Sequence, residues 1–379
     1  MKCDEIILPD NTRLRLPAEE TIERTKSALV VRFPDKRNVL STSWQNGGYR
    51  EDLTAVFNHQ IPLAACDDCH ANGGVKAYLE GVAARLSLDP DAACGLITRA
   101  EMQNAAIVSA AYLDLSVTAV VTAGIDKNGG RAGDPASYHE TGGRFEPVGG
   151  TINTILFVGA DLPEYAMSRA VMTATEAKTA ALQQLMARSI YSTGIATGSG
   201  TDMIAIVTNP GSSLHLSDAG KHAKLGELIG TTVIRATIAA LEKETGLSPA
   251  SQRDVLVRLS RFGVTEEDLW KAAVTAGYVD SASGEERERF VQFLRSWARE
   301  PGAVAQAVAA LHILDEAGWG LLPDDVARDA IIRILRDGET NIPTAGDRLI
   351  DCVVAMLARR AVREVYPARN LGGSLHLHP

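Results

Sequence analysis

The segment from Gly149 to Asp202 concentrates residue types that could hold and process a polar ligand. A short apolar strand is predicted over Thr151–Val158, and the segment ends in a glycine- and hydroxyl-rich loop. The loop presents Thr197, Gly198, Ser199, Gly200, Thr201 and Asp202. Glycines let backbone amides approach a ligand closely, and short hydroxyls beside a carboxylate suit a binding pocket. A plain connecting turn is the alternative for this loop taken alone.

The order of elements around this loop excludes two common phosphate sites. The loop follows a predicted helix and precedes a predicted strand over Met203–Thr208. A P-loop and a dinucleotide fingerprint both place their glycines between a strand and a following helix. The loop also lacks the Gly-Lys-Ser/Thr ending of a P-loop.

Two further clusters carry polar side chains outside this segment. Asn46, Asn58 and His59 form the first, and they could hydrogen-bond a polar substrate. His59 could equally be a structural histidine at the end of a helix, because Thr54–His59 has a helical pattern.

The second cluster lies in the glycine-rich loop over residues 124–150. Arg131 could bind a polar substrate group or pair with Asp134 to fix the loop. His139 could act as a general base with its neighbour Glu140 as the orienting acid, although adjacent side chains often diverge.

Cysteine usage gives weak functional signals. The chain has five cysteines, and an odd number argues against a disulfide framework. Cys66, Cys69 and His70 match the C-x-x-C-H pattern of covalent haem attachment, but no export signal is visible. An incidental loop is the favoured interpretation, with a metal or redox role as the alternative.

Charge and hydropathy limit the classes of partner. A net charge of −9 over 379 residues argues against a general nucleic-acid surface, and the cytoplasm is the expected compartment. The apolar stretch Ala105–Ile125 imitates a membrane span but carries Asp114 at its centre. We therefore predict a buried helix over about 101–112, a buried strand over about 115–123 and no membrane span.

The helix between the two predicted strands has two interpretations. One long helix could cover 162–189. Alternatively, the capping-box pattern from Thr173 to Glu176 could start a second helix, with a break over Met172–Thr175 that exposes backbone amides such as that of Thr175. We favour the break.

The pattern of predicted secondary structure changes after about residue 245. Strand patterns cease, and about six helices are predicted over 250–365. Residues 1–245 are therefore expected to form an α/β (or α+β) domain, and residues 246–379 an all-α domain of unknown role.

Short motifs in a fixed order make the first 240 residues similar to a known family. The chain resembles the adenosylcobinamide amidohydrolases over about residues 28–240. The motifs are Leu40–Ser43, Asn46–Gly48, Asn104–Ala106, Thr122–Gly124, Gly150–Asn153, Thr173–Lys178, Ala196–Asp202, Lys224–Gly226 and Leu228–Gly230. The family usually has Thr where this chain has Ser199, a change that keeps the hydroxyl.

The resemblance implies a reaction of corrinoid salvage. Water would cleave the amide that joins the aminopropanol arm to the corrin ring of adenosylcobinamide, giving adenosylcobyric acid and aminopropanol or its phosphate. Cobalt would enter only as part of the substrate, with no other cofactor and no metal held by the protein. The corrinoid is the expected partner, nucleic acid is not expected, and a homo-oligomer is an open alternative.

Amide hydrolysis then suggests roles for the polar residues. Asp202 or Glu176 could position water as a base, backbone amides over Gly198–Thr201 could bind the oxyanion, and Lys178 could stabilise charge or protonate the amine. Thr201 as a covalent nucleophile is a rival. On an ideal helix Glu176 and Lys178 point in different directions, so they need not act together.

Several asparagines are candidates for recognising the ring periphery, which carries many amides. They are Asn46, Asn104 and Asn153, and the alternative is that they satisfy buried backbone groups. Two other functions stay open. One is a non-catalytic corrinoid-binding or delivery protein, and the other is an amide hydrolase of the same fold with a different substrate.

Overall fold

The computed structural model describes residues 3–9, 12–62, 65, 73–136, 150–280, 284–336 and 348–366. The chain divides into two compact units, Met1–Pro249 and Ala250–Pro379. The first unit combines a mixed β-sheet with helices, and the second is helical. This agrees with the predicted α/β (or α+β) and all-α fold classes.

A curled sheet dominates the first unit. Its strands run in the order β1-β7-β8-β10-β12-β4-β3-β2, and β5 pairs with both β4 and β6. The strands are β1 (Cys3–Ile6), β2 (Arg13–Arg15), β3 (Thr21–Arg24), β4 (Ala28–Ser41), β5 (Gly48–Gln60), β6 (Ala93–Thr98), β7 (Ala106–Tyr112), β8 (Leu115–Gly124), β10 (Thr151–Val158) and β12 (Met203–Thr208). A separate ribbon pairs β9 (Gly129–Gly130) with β11 (Gly198–Ser199). The pairs β10–β12 and β5–β6 are parallel, and the other pairs of described strands are antiparallel.

The sheet curls so that two halves face each other across an apolar interior. Alternation decides which side chains enter it: Ile155 and Phe157 of β10 point inward, while Ile152 and Leu156 point to the helices. The helices α2 (Glu164–Gln184) and α3 (Lys224–Thr245) cover one outer face, and α1 (Gly74–Arg85) packs on the other.

The prediction of a helix over about 101–112 was wrong. Only Met102–Asn104 forms a short 3-10 turn, and β7 and β8 form an antiparallel hairpin whose tip holds Leu113 with φ of 54°. The predicted strand over 115–123 is confirmed. A central strand with both faces covered is apolar throughout, so it lacks the alternation that distinguishes a strand from a buried helix.

Two other helix predictions need correction. Thr54–His59 lies in β5, where residues 55–59 are buried on both faces, and not in a helix. The predicted break over Met172–Thr175 is absent, because α2 is continuous from Glu164 to Gln184. Small buried residues on one side of α2 let it lie close to the sheet without interruption: Ala166, Ala170, Ala174, Ala177 and Ala181.

The second unit contains six described α-helices around its own core. They are α4 (Val255–Leu259), α5 (Glu266–Thr275), α6 (Gly284–Trp297), α7 (Pro301–Gly318), α8 (Asp324–Leu335) and α9 (Leu349–Val365). Trp270 and Phe290 meet in this core with ring centroids 5.4 Å apart. In neither unit does a described helix have the length and apolarity needed to cross a bilayer.

Candidate active site

One edge of the sheet collects the residues of the glycine loop. Because β10 and β12 are parallel neighbours, Thr151 and Met203 start at the same edge. The helix α2 connects these strands and returns toward their starting edge, which brings Lys178 in its second half to Asp202, the residue just before β12.

Asp202 is the centre of this site. Its Oδ1 accepts hydrogen bonds from Ile152 N at 2.8 Å and from Ser199 Oγ at 2.6 Å. Its Oδ2 accepts from Ser199 N at 3.0 Å and forms an ion pair with Lys178 Nζ. A carboxylate offers about four acceptor positions, and all four are used. The donors therefore fix both the orientation of the carboxylate and the loop that carries it.

Gly198 is required by this close packing. A side chain at residue 198 would place its Cβ 2.8 Å from Lys178 Nζ and closer still to Asp202 Oδ2. The strand that contains Gly198 pairs with Gly130 of β9, and Gly130 lies against the ring of Tyr191. The glycine pattern in the sequence thus reflects close approach at these positions.

The hydroxyls of the loop have different partners. Thr201 Oγ1 donates to Gly150 O at 2.7 Å, so its proton faces a backbone carbonyl. Ser199 Oγ donates to the Asp202 carboxylate and accepts from Thr201 N at 3.3 Å. Thr197 Oγ1 accepts from Ala132 N at 2.9 Å, which ties the loop to the residues after β9. Gly200, at the tip, is exposed.

Glu176 and Lys178 point in different directions, as the helix geometry predicts. Glu176 is exposed and pairs with Lys221 at 2.8 Å, whereas Lys178 pairs with Asp202. Thr175 is also exposed on α2. The structure therefore brings Lys178 but not Glu176 to the Asp202 carboxylate.

Arg131 is exposed beside this site, and the loop around it is held by Asp134. Asp134 Oδ2 accepts from Arg131 N at 2.7 Å and from Ser189 Oγ at 2.6 Å. Burial would raise the pKa of Asp134, but these hydrogen bonds and one from Ser192 outweigh it, so the pKa is lowered. Arg131 thus pairs with Asp134 through its backbone N–H, which fixes the loop. His139 lies outside the described residues.

A buried amide network joins the two halves of the sheet near the same edge. Asn153 Nδ2 donates to Asn58 Oδ1 at 2.9 Å and to Ile97 O at 2.8 Å. Asn58 Nδ2 donates to Thr122 Oγ1 at 2.8 Å. Thr151 Oγ1 donates to Thr201 O at 2.7 Å, which links the start of β10 to the loop. Both asparagines are buried, so the network supports the site from beneath.

The other predicted amides bind the protein itself. Asn46 Nδ2 donates to Pro90 O and Ala93 O, each at 2.8 Å. Asn104 Nδ2 donates to Glu244 Oε2 of α3 at 2.7 Å. Asn46 therefore satisfies backbone carbonyls, as the structural alternative expects, whereas Asn104 binds a side-chain carboxylate.

His59 is packed between β5 and α1. Its Nε2 lies 3.0 Å from Tyr78 Oη. Burial lowers the pKa of His59 to about 4; a backbone hydrogen bond with Ser27 opposes the shift, and the charge of Arg85 adds to it. His59 is therefore neutral near pH 7 and is not a helix cap.

Two donors to Asp202 were not predicted from the sequence. They are the backbone N–H of Ile152 and that of Ser199. Within the described residues, no group of three or more His, Cys, Asp or Glu side chains is arranged to hold a metal ion. Cys66, Cys69 and His70 lie outside those residues.

The comparisons with known proteins cover the unit that holds these residues. A family model described as adenosylcobinamide amidohydrolase (CbiZ) matches residues 13–249, which include every described member of the site. The chain belongs to the adenosylcobinamide amidohydrolase family. The model leaves the helical unit unmatched.

Two individual proteins extend the comparison. The uncharacterized protein MJ1613 of Methanocaldococcus jannaschii is 36% identical over 235 residues, which are 59% of this chain and 88% of that protein. The crystal structure of the PH0078 protein from Pyrococcus horikoshii OT3 gives a TM-score of 0.30 at 12% identity, covering 63% of this chain and 83% of that chain.

Proposed function

We propose that the chain hydrolyses the amide between the corrin ring and the aminopropanol arm of adenosylcobinamide. The products are adenosylcobyric acid and aminopropanol, or aminopropanol phosphate from a phosphorylated substrate. The observation that carries this proposal is the cluster of Lys178, Asp202 and Ser199, which lies inside the region matched by the family model. It combines an ammonium, a carboxylate and a hydroxyl, which are groups that amide hydrolysis needs.

Asp202 acts in this proposal through the groups that it holds. All four of its acceptor positions are occupied, which leaves none for a separately bound water. It aligns the Ser199 hydroxyl on one oxygen and the Lys178 ammonium on the other. This differs from the role suggested by the sequence alone, in which Asp202 binds the attacking water directly.

Lys178 supplies positive charge where the reaction develops negative charge. Its side chain is 14% exposed, so it is largely shielded from bulk water but still accessible. An ammonium in such a position stabilises an oxyanion more strongly than it would in water. Glu176 has no part in this scheme, because it pairs with Lys221 on the exposed side of α2.

Every step of this scheme uses side chains, backbone amides and water, and the cobalt stays in the substrate. We therefore expect hydrolysis to continue in the presence of EDTA.

The test is to incubate the full chain with adenosylcobinamide and to quantify adenosylcobyric acid and aminopropanol by mass spectrometry. Equal amounts of the two products, with and without EDTA, are expected. Tight binding of adenosylcobinamide without product would replace the proposal by a corrinoid-binding function. Neither binding nor product would show that the substrate is a different compound.

A further inference from the structure

We infer that Ser199 is the nucleophile of this site and that the reaction passes through an ester between Ser199 and the corrin side chain. The inference rests on the proposed hydrolysis and deepens it. The observation behind it is the hydrogen bond of 2.6 Å from Ser199 Oγ to Asp202 Oδ1. A nucleophile within this distance of a base that is itself held by further donors has the arrangement expected for covalent catalysis.

The structure distinguishes Ser199 from Thr201, the other hydroxyl of the loop. The proton of Thr201 Oγ1 is directed at Gly150 O, a backbone carbonyl that cannot accept it in a reaction. The proton of Ser199 is directed at a carboxylate, which can. The nearby Thr201 also stabilises the position of Ser199, because Thr201 N donates to Ser199 Oγ at 3.3 Å.

Asp202 is oriented for this proton transfer by groups on three segments. Ile152 N binds the oxygen that receives the proton, while Ser199 N and Lys178 Nζ bind the other oxygen. A carboxylate that accepts the proton of a hydroxyl as that oxygen attacks is an established arrangement in phosphoryl transfer. The same arrangement serves attack on an amide carbonyl.

The first half of the reaction forms the ester. Ser199 Oγ attacks the amide carbon, and its proton passes to Asp202 Oδ1. The resulting oxyanion is stabilised by the ammonium of Lys178 and by the backbone N–H of the exposed Gly200. The C–N bond then breaks, and Asp202 returns the proton to the nitrogen, which leaves as the amine of aminopropanol.

The second half restores the enzyme. In the ester, Ser199 Oγ no longer donates to Asp202 Oδ1, so this oxygen becomes open to water. Water attacks the ester carbon and gives a proton to Asp202. The bond from carbon to Ser199 Oγ breaks, and Asp202 returns the proton to that oxygen. In sum, one amide and one water are consumed, and one carboxylic acid and one amine are released.

Substitutions at residue 199 give the first part of the test. We expect Ser199→Ala to reduce kcat by roughly 10³-fold or more, as loss of a nucleophile does in other hydrolases. Ser199→Thr, which keeps a hydroxyl, retains turnover within about tenfold. Ser212→Ala is the matched control, because Ser212 Oγ donates to Gly159 O away from the site. Circular dichroism and Tm establish that each variant is folded.

The second part of the test identifies the ester in the wild-type chain. Adenosylcobinamide turnover is measured at increasing concentrations of hydroxylamine. Acid-quenched samples are digested, and the peptide masses are determined by mass spectrometry. The inference predicts one of two results. Either the peptide with Ser199 carries the corrinoid acyl group, or hydroxylamine diverts the product to a hydroxamate without changing the rate of aminopropanol release.

One combination overturns the inference while the proposed function stands. In this combination, turnover is normal and no adduct on Ser199 is found at any time. The rate of aminopropanol release also rises in proportion to the hydroxylamine concentration, which means that hydroxylamine attacks the amide directly. Normal turnover by Ser199→Ala overturns it as well. A wild-type chain that releases no aminopropanol instead contradicts the proposed function itself.

Discussion

Lys178 Nζ and Asp202 Oδ2 form an ion pair across 24 residues of sequence, with side chains that are 14% and 15% exposed. The ion pair of Arg37 and Glu20 in the same unit is more deeply buried, at 3% and 2%. The Lys178–Asp202 pair is therefore sheltered but still open to a ligand, which suits a reacting site better than a core.

Removing either charge of this pair is expected to abolish most of the turnover. In Asp202→Asn, an amide NH₂ replaces one carboxylate oxygen. This donor then faces another donor whose hydrogen bond the oxygen had accepted, so the loop loses its alignment. In Lys178→Met the positive charge is lost at similar side-chain length. We expect kcat for aminopropanol release to fall by about 10²- to 10³-fold in each variant, as for loss of an oxyanion-stabilising group.

Two exposed ion pairs provide controls for this prediction. Lys221→Met and Asp218→Asn remove the same charges from the surface pairs Lys221–Glu176 and Asp218–Arg169. Their kcat should stay within about twofold of wild type, since exposed pairs contribute little. Full activity of Asp202→Asn would remove Asp202 from the proposed chemistry.

Gly198→Ala is expected to damage the site without unfolding the chain. The added methyl group would lie too close to both members of the Lys178–Asp202 pair, and one of them must move. We expect kcat to fall by at least about tenfold, because a displacement of 1 Å can cost about 10²-fold. The measurement is kcat beside Tm for the variant and for Gly230→Ala.

Gly230 is the matched control because a Cβ added there meets nothing within 4 Å. It lies inside α3, where alanine is favoured over glycine by about 1 kcal/mol. Gly230→Ala should keep wild-type kcat and slightly raise Tm. A Gly198→Ala variant with unchanged kcat would mean that the ion pair tolerates displacement.

Acid should destabilise the first unit through His59. The pKa of His59 is about 4 in the folded chain, below the ordinary value of 6.5, so the unfolded chain binds the proton more readily. The contribution of His59 to stability is therefore complete above pH 6.5 and is lost as the pH falls toward 4. Each pKa unit corresponds to about 1.4 kcal/mol, so the loss approaches roughly 3 kcal/mol.

Urea unfolding of wild type and His59→Gln at several pH values checks this prediction. Carboxylates titrate in both proteins, so the difference between the two curves isolates the imidazole. The variant should be less stable than wild type at pH 7.5, and this difference should shrink at pH 4.5. Parallel curves would show that His59 keeps an ordinary pKa in the folded chain.

The helical unit should depend on the buried pair of Arg261 and Asp315. Two hydrogen bonds of 2.9 and 2.6 Å join the guanidinium to the carboxylate, and the side chains are 6% and 9% exposed. Asp315→Ala removes the carboxylate that neutralises a buried cation, which costs about 3–5 kcal/mol. Glu266→Ala removes the half-buried partner of the exposed Arg295 and should cost less than about 1 kcal/mol.

Chemical denaturation followed by tryptophan fluorescence measures both variants, since Trp270 and Trp297 lie in the core of this unit. Equal stability of the two variants would contradict the prediction.

Much of the fold followed from local patterns. The strands Thr151–Val158 and Met203–Thr208 were predicted and are confirmed, because glycine-rich or polar segments border each apolar run. In the structure, a capping box at Thr265 starts a helix, α5, with Asp268 completing the box. The similar pattern at Thr173 does not, since α2 continues through it and Thr173 Oγ1 donates instead to Ala219 O.

The site was predictable in part. The glycine loop and the divergence of Glu176 and Lys178 follow from residue types and from helix geometry. The donor from Ile152 does not, because every residue except proline has a backbone N–H and the sequence cannot mark which one is used. The contact of Asn58 with Asn153 is not predictable either, because the two residues are 95 positions apart in the sequence and only the curl of the sheet brings them together.

The strand order has a consequence for synthesis on the ribosome. Leu40 of β4 pairs with Ile206 of β12, so the nascent chain must grow by more than 160 residues before that edge of β4 finds its partner. At ordinary translation rates this takes roughly 10–30 s. During that interval an unpaired strand edge is available to other nascent chains. Abundant chaperones should therefore favour recovery of this protein, and truncation before residue 203 should favour aggregation.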